Sequence, residues 1–373
     1  MKRTPLGPLH EARGARWMEH HGWEIPRCYA AVADEYHVLQ EGVGLIDLSH
    51  RGKLRVTGRD RRTWLHGQVT QEINGLPEWR GAYATLLTPQ GRMVSDMRVF
   101  ALPEALLADV PAGTATPIPA YLDRYLVMER AEIEDLTDSW AILSLQGPQS
   151  AAAVGCLLGE AAAALPLWGV MEHPFQGGPL YAARTPHCGE DGFDLFVPAG
   201  SAAALWASLS LHRTRFAVHS VGWDALNLRR LEAGIPWWGE ELDESVVPLE
   251  ARLNHAISLR KGCYVGQEII ARIDARGQVN HLLAGFRVLG ETLPARGAEI
   301  RHGGRKAGVL RTAARSPRLG APIALGYLRR ELQEAGTRVE AAGEPPVELE
   351  VTPLPFVPHD LPPAAGPAAG ATP

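Results

Sequence analysis

From about residue 279 the chain changes its pattern, and this change most constrains the fold. Residues 281–288, 305–310, 323–328, 337–341 and 347–351 are short runs that alternate apolar and polar side chains, separated by Gly and Pro. Alternation with period two matches a strand, whose successive side chains point to opposite faces. Several such runs punctuated by turn residues predict a small all-β barrel or sandwich over 279–358. From Pro358 onward the chain is Pro, Ala and Gly with almost no charge or bulk. Such a segment buries too little surface to offset its ordering entropy, so residues 359–373 are expected to be a disordered tail.

Residues 1–278 read differently. Lys53 to Val56 alternates as a half-buried strand does, and Arg59 to Val69 carries Trp64, Leu65 and Val69 at helical spacing. Tyr83 to Leu87 and Met93 to Phe100 flank Thr88-Pro-Gln-Gly91, whose Pro and Gly suit a tight turn, so a β-hairpin is predicted. Trp140 to Leu145 and Gly192 to Val197 read as strands, the Ala-rich run after Pro148 and Asp224 to Leu231 as helices. Residues 103–120, rich in Pro and Ala, read as a loop or a poorly formed element. Strands and helices mix without strict βαβ alternation, which argues for an α+β class rather than a doubly wound sheet.

Composition excludes more than it identifies. A net charge of −5 over 373 residues supplies no electrostatic reason to expect nucleic acid or an anionic membrane as partner. No apolar run approaches the roughly 18–20 residues of a membrane span, and the N-terminus lacks a secretory apolar region, so a cytoplasmic location is expected. Cysteines at 28, 156, 188 and 263 are too few and scattered for a disulfide framework or a zinc site, and no metal is expected. The 14 histidines read mostly as surface or locally hydrogen-bonded residues.

One segment stands out chemically: Lys261-Gly262-Cys263-Tyr264-Val265-Gly266-Gln267-Glu268. Glycines at 262 and 266 permit backbone shapes or close approaches that a side chain would block. Beside Lys261, the Cys263 thiolate would be stabilised and could serve as nucleophile, redox sensor or soft-metal ligand. Tyr264, Gln267 and Glu268 are expected to pack or orient the loop. The octapeptide resembles the K-G-C-[FY]-x-G-Q-E signature of the YgfZ-type folate-binding proteins, relatives of the aminomethyltransferase (T-protein, GcvT) of the glycine cleavage system that support iron–sulfur enzymes.

Further segments resemble the same superfamily across nearly the whole chain. They include Gly22-Trp23-Glu24-Ile25-Pro26, Asp47-Leu48-Ser49-His50, Leu145-Gln146-Gly147-Pro148 and Arg230-Leu231-Glu232-Ala233-Gly234. The resemblance implies a three-lobed, cloverleaf-like arrangement, tetrahydrofolate as cofactor, and a set of site residues. Asp96 falls where T-proteins carry the second Asp of a Gly-Gly-x-x-Asp-Asp segment, with Ser95 replacing the first. There the carboxylate would face folate N5 and stabilise developing positive charge or handle a proton. Glu190, within Gly189-Glu190-Asp191-Gly192, would accept hydrogen bonds from the pterin edge, although Pro186, His187 and Cys188 depart from the pattern. Arg230 would reach the folate, with Tyr83, His50 and Trp237-Trp238 lining the pocket.

Two functions lead, with a folate-binding regulator that turns nothing over as a third. The first is a YgfZ-type folate-binding protein that assists assembly or repair of iron–sulfur client enzymes through Cys263. The alternative is folate-dependent one-carbon transfer through Asp96, either aminomethyl transfer from a lipoyl carrier protein or a demethylation.

Overall fold

A computed structural model describes residues 1–211, 213–276 and 279–359, with only the backbone given at 213 and 276. The tail expected at 359–373 lies outside these residues apart from His359. The boundary expected at 278 and 279 borders residues 277 and 278, which are also outside them.

The first lobe is a six-stranded sheet in the order Val170–Phe175, Gly178–Arg184, Gly192–Pro198, Trp140–Gln146, Val43–Asp47, Val218–Ser220. Neighbours are antiparallel except the last pair, which is parallel. Helix Ala202–Ser210 covers one face because Ala202, Leu205, Trp206 and Leu209 recur at helical spacing and are buried against Leu143, Leu145 and Leu195. Each large side chain buried there stabilises the lobe by about 1.5–3 kcal/mol.

Val43–Asp47 pairs directly with Trp140–Gln146, Leu145 opposite Leu45. Everything between them is looped out and forms the second lobe. That lobe is an antiparallel five-stranded sheet in the order Arg80–Leu87, Met93–Ala101, Leu106–Val110, Gly52–Thr57, Glu132–Asp135. Lobe two is therefore an insertion into lobe one. A small three-stranded sheet, Lys2–Arg3, Trp23–Cys28 and Arg16–His20, covers the junction near Trp223.

The C-terminal strands close into a six-stranded barrel, in the order His281–Val288, Ala321–Arg329, Arg305–Ser316, Glu299–His302, Arg338–Ala341, Val347–Thr352. Phe286, Ile300, Leu310, Leu328 and Leu349 fill it. The expected α+β class with a terminal all-β barrel is the observed one. Strand Glu299–His302 escaped the sequence reading because two of its four residues are exposed and only Ile300 is deeply buried.

Two local expectations need correction. Residues 103–120 are neither a loop nor poorly formed: Leu106–Val110 is a fully buried strand and Pro117–Asp123 a helix. Asp109 in the middle of the strand masked its apolar pattern. The helix expected over 59–69 is confined to Arg61–His66, since Gly67 ends it. No helix among the described residues is long and apolar enough to cross a membrane.

Candidate functional site

The hairpin of Arg80–Leu87 and Met93–Ala101 builds the centre of the site. Its register sets Tyr83 opposite Arg98 and Thr85 opposite Asp96. Alternation then sends Met97 and Val99 into the core of lobe two, and Asp96 and Arg98 outward into a cavity of about 340 Å³. Ser95, on the core side, donates to the Asp96 carbonyl at 2.8 Å. Met93–Ala101 is an interior strand, so Asp96 is no solvated edge residue; it is 6% exposed.

The Tyr83 hydroxyl donates to Asp96 Oδ2 at 3.0 Å, while Oδ1 has no partner among the described residues. A buried carboxylate oxygen left bare is unusual, and it points to a ligand. Burial pushes the Asp96 pKa above the usual carboxylate range, and the guanidiniums of Arg51 and Arg98 pull it back. Both arginines share the fully buried Asp109. Arg51 donates to it at 2.7 and 3.0 Å, and Arg98 at 2.8 Å. Two guanidiniums on one carboxylate leave one net positive charge, which balances Asp96.

His187 continues this chain. Its Nδ1 accepts from Arg98 Nη2 at 3.2 Å, so its Nε2 carries the proton and donates to Asp194 at 2.8 Å. That arrangement requires the neutral ring, and burial lowers the pKa accordingly. Above Asp96, Tyr83 lies between Trp168 and His255. The ring centroids are 6.2 and 5.5 Å apart, with interplanar angles of 10° and 18°. On another wall the ring centroids of His20 and His50 are 5.4 Å apart, and His50 Nδ1 is buried without a partner among the described residues. Burial drives His20 down to about 3 and His50 well below the usual histidine value.

Six of the 14 histidines, at 20, 21, 50, 187, 255 and 359, line one cavity, which the expectation that most are surface or locally hydrogen-bonded residues did not single out. Their positions are distant in sequence, which is why no spacing rule finds them. Among the described residues no group of three His, Cys, Asp or Glu side chains could hold a metal ion.

Residues 6–261 match the family described as the GCVT N-terminal domain, and residues 282–358 the glycine cleavage T-protein C-terminal barrel domain. The chain belongs to the glycine cleavage T-protein family. An aminomethyltransferase of Rubrobacter xylanophilus is 34% identical over 357 residues, which is 95% of this chain and 94% of that protein. One from Saccharopolyspora erythraea is 31% identical, covering 95% and 98%. The crystal structure of the glycine cleavage system aminomethyltransferase T from Bartonella henselae superposes with a TM-score of 0.86 at 26% identity, covering 95% of this chain and 98% of that one. These relatives support the T-protein superfamily but not the YgfZ-type branch or the iron–sulfur role attached to it.

The residues that the T-protein resemblance singled out separate into two groups. Asp96, Tyr83, His50, Trp237 and Trp238 line the cavity. Glu190 and Arg230 do not. Glu190 accepts from Arg229 at 2.6 Å, and Arg230 is fully buried, paired with Glu241 and bonded to Asn227 at 2.7 Å.

The octapeptide lies elsewhere and braces the fold. Lys261 Nζ donates to the carbonyls of His66, Val69 and Gln71, the last two at 2.6 and 2.9 Å. Burial lowers its pKa to about 7, while three carbonyl acceptors favour the ammonium. Its donors are thus engaged away from Cys263, whose exposed thiol makes no hydrogen bond or ion pair among the described residues. Gly266 adopts φ +82°, and a Cβ there would meet the Thr88 carbonyl at 2.6 Å, so only glycine fits. Gly262, by contrast, has open space around it. Tyr264 packs into the core beneath the barrel, Gln267 starts helix Gln267–Arg276, and the exposed Glu268 lies in its first turn, where an acid suits the helix dipole.

Arg51, Arg98, Asp109, His187, Trp168 and His255 went unnoticed in the sequence. A signal did exist for one of them: Arg98 lies two residues from Asp96 on one strand and so shares its face.

Proposed function

We propose that the protein is a folate-dependent aminomethyltransferase of the glycine cleavage type, working in the cytoplasm. It would receive an aminomethyl group carried on the lipoyl sulfur of a carrier protein, pass the carbon to tetrahydrofolate and release ammonia. The bare Oδ1 of Asp96, buried in a cavity, carries this reading, and the T-protein relatives support it.

The cavity suits such a ligand. Its volume lies within the range of small-molecule sites, the stacked rings of Trp168, Tyr83 and His255 form an aromatic wall, and one carboxylate oxygen awaits a donor. Folate supplies the nitrogen that accepts the one-carbon unit. The chain supplies the electrostatics. Asp96, whose burial-raised pKa Arg51 and Arg98 oppose by favouring the carboxylate, stabilises positive charge that develops beside Oδ1 and accepts a proton there. Tyr83 fixes the carboxylate's rotation through Oδ2. The aromatic walls exclude water, which strengthens each of these interactions.

The test uses the full chain with tetrahydrofolate and an aminomethyl-loaded lipoyl carrier protein. Methylene-tetrahydrofolate and ammonia should appear in equal amounts. If neither forms above the rate without protein, the reading fails.

A further inference from the structure

Among the described residues, six that are not glycine take left-handed backbone conformations: His21, Trp79, Trp168, Gln176, Ala217 and Arg252. Three of them, His21, Trp168 and Arg252, line the cavity. Strain of this kind persists where surrounding structure holds it, commonly at functional sites. Arg252, at φ +60°, is the least expected, since a long side chain gains nothing locally from that conformation.

Its guanidinium is fixed on one side only. Nε donates to the Leu283 carbonyl at 2.7 Å and Nη2 to Gln333 Oε1 at 3.0 Å. Gln333 is anchored in turn by the carbonyls of Leu282 and Leu328, at 3.1 and 3.0 Å. Nη1 has no partner among the described residues, and the side chain is exposed at the cavity's edge. Arg51 and Arg98, the other two arginines of the lining, are paired with Asp109. Among the described residues Arg252 forms no ion pair, and burial lowers its pKa. The cavity is therefore polarised. Its deep end, around Asp96, is balanced in charge, and its edge holds a preorganised cation without a counter-ion.

We propose that Arg252 recognises the glutamyl carboxylates at the tail of folate, an assignment that rests on the folate-dependent reading above. A ligand whose reacting ring lies at the buried Asp96 extends its tail toward the exposed edge. The guanidinium pinned there offers a charge-assisted hydrogen bond to a carboxylate.

The experiment compares equilibrium binding of tetrahydrofolate and of tetrahydropteroate, which lacks the glutamate, to wild type, Arg252→Gly and Arg252→Met. Glycine adopts this backbone freely, which offsets part of the two hydrogen bonds lost in Arg252→Gly, and tetrahydropteroate binding by each variant controls for misfolding. The expected result is a rise of about ten-fold in the Kd for tetrahydrofolate in both variants, the scale of one charge-assisted hydrogen bond. Tetrahydropteroate should bind all three proteins alike. Equal weakening of both ligands, or of neither, would overturn the assignment while leaving the folate reading intact. A wild type that binds neither ligand overturns both.

Discussion

Asp96 and Lys261 are both buried charges, and the fold treats them in opposite ways. Lys261 has its ammonium donors taken by three carbonyls of the segment 66–71, so it ties the octapeptide to lobe two. Asp96 has one oxygen partnered and one bare. A charge with every partner in place is a brace. A charge left short in a cavity is poised for a ligand. Burial alone separates nothing here; the state of the hydrogen bonds does.

The largest effect should come from Asp96→Asn. Transfer should fall by about 10²–10⁴ in kcat, the range for a group that handles a proton or charge at the reacting centre. Stability should move the other way. The folded pKa of Asp96 lies above its unfolded value, so the native state loses stability as pH rises through that window, and Asn removes the penalty. Thermal melts at pH 7 should show Asp96→Asn at least as stable as wild type; a clear loss would make Asp96 a brace too.

Lys261→Met should show the converse. Three carbonyls lose their donor, and each buried group left unsatisfied costs about 1–3 kcal/mol. Denaturant unfolding should register the loss, while the folded fraction keeps its kcat.

A smaller effect separates His20. Its folded pKa of about 3 lies below the unfolded value near 6.5, so the unfolded chain binds the extra proton. Stability should therefore fall as pH drops from about 6.5 toward 3, by up to about 1.4 kcal/mol per unit for this group. His20→Phe should flatten the slope of melting temperature against pH; an unchanged slope would remove His20 from the account. The smallest effect is assigned to Cys263→Ala. The thiol is exposed and unpartnered, so stability should change by less than about 0.5 kcal/mol and transfer should be unchanged. Loss of activity there would return the octapeptide to the chemistry.

The barrel and the hairpin around Asp96 were legible because both rest on local alternation and turn residues. Asp96 and Tyr83 were singled out by the T-protein resemblance, not by that alternation. The rest of the site was not legible, for a physical reason. Asp109 lies in a strand that its own charge disguised, and its role appears only once Arg51 and Arg98 converge on it from two other strand neighbourhoods. His187 and His255 reach the cavity from lobe one and from a turn before the octapeptide. Conversely, the octapeptide is conspicuous because a lysine, a left-handed glycine and a helix start must all satisfy packing at one place. A dense motif can record a difficult joint as readily as a reaction.

The insertion of lobe two into lobe one also bears on how the chain is made. Val43–Asp47 is buried along its whole length, yet its neighbour Trp140–Gln146 lies some 90 residues downstream. At ribosomal rates of about 5–20 residues per second, that apolar segment stays without its partner for roughly 5–20 s. During this interval an unpaired apolar strand is a template for aggregation. The nascent polypeptide thus carries this unpaired apolar strand until residues 140–146 emerge, and closure of the inserted lobe, which sets the two strands side by side, then limits any further delay.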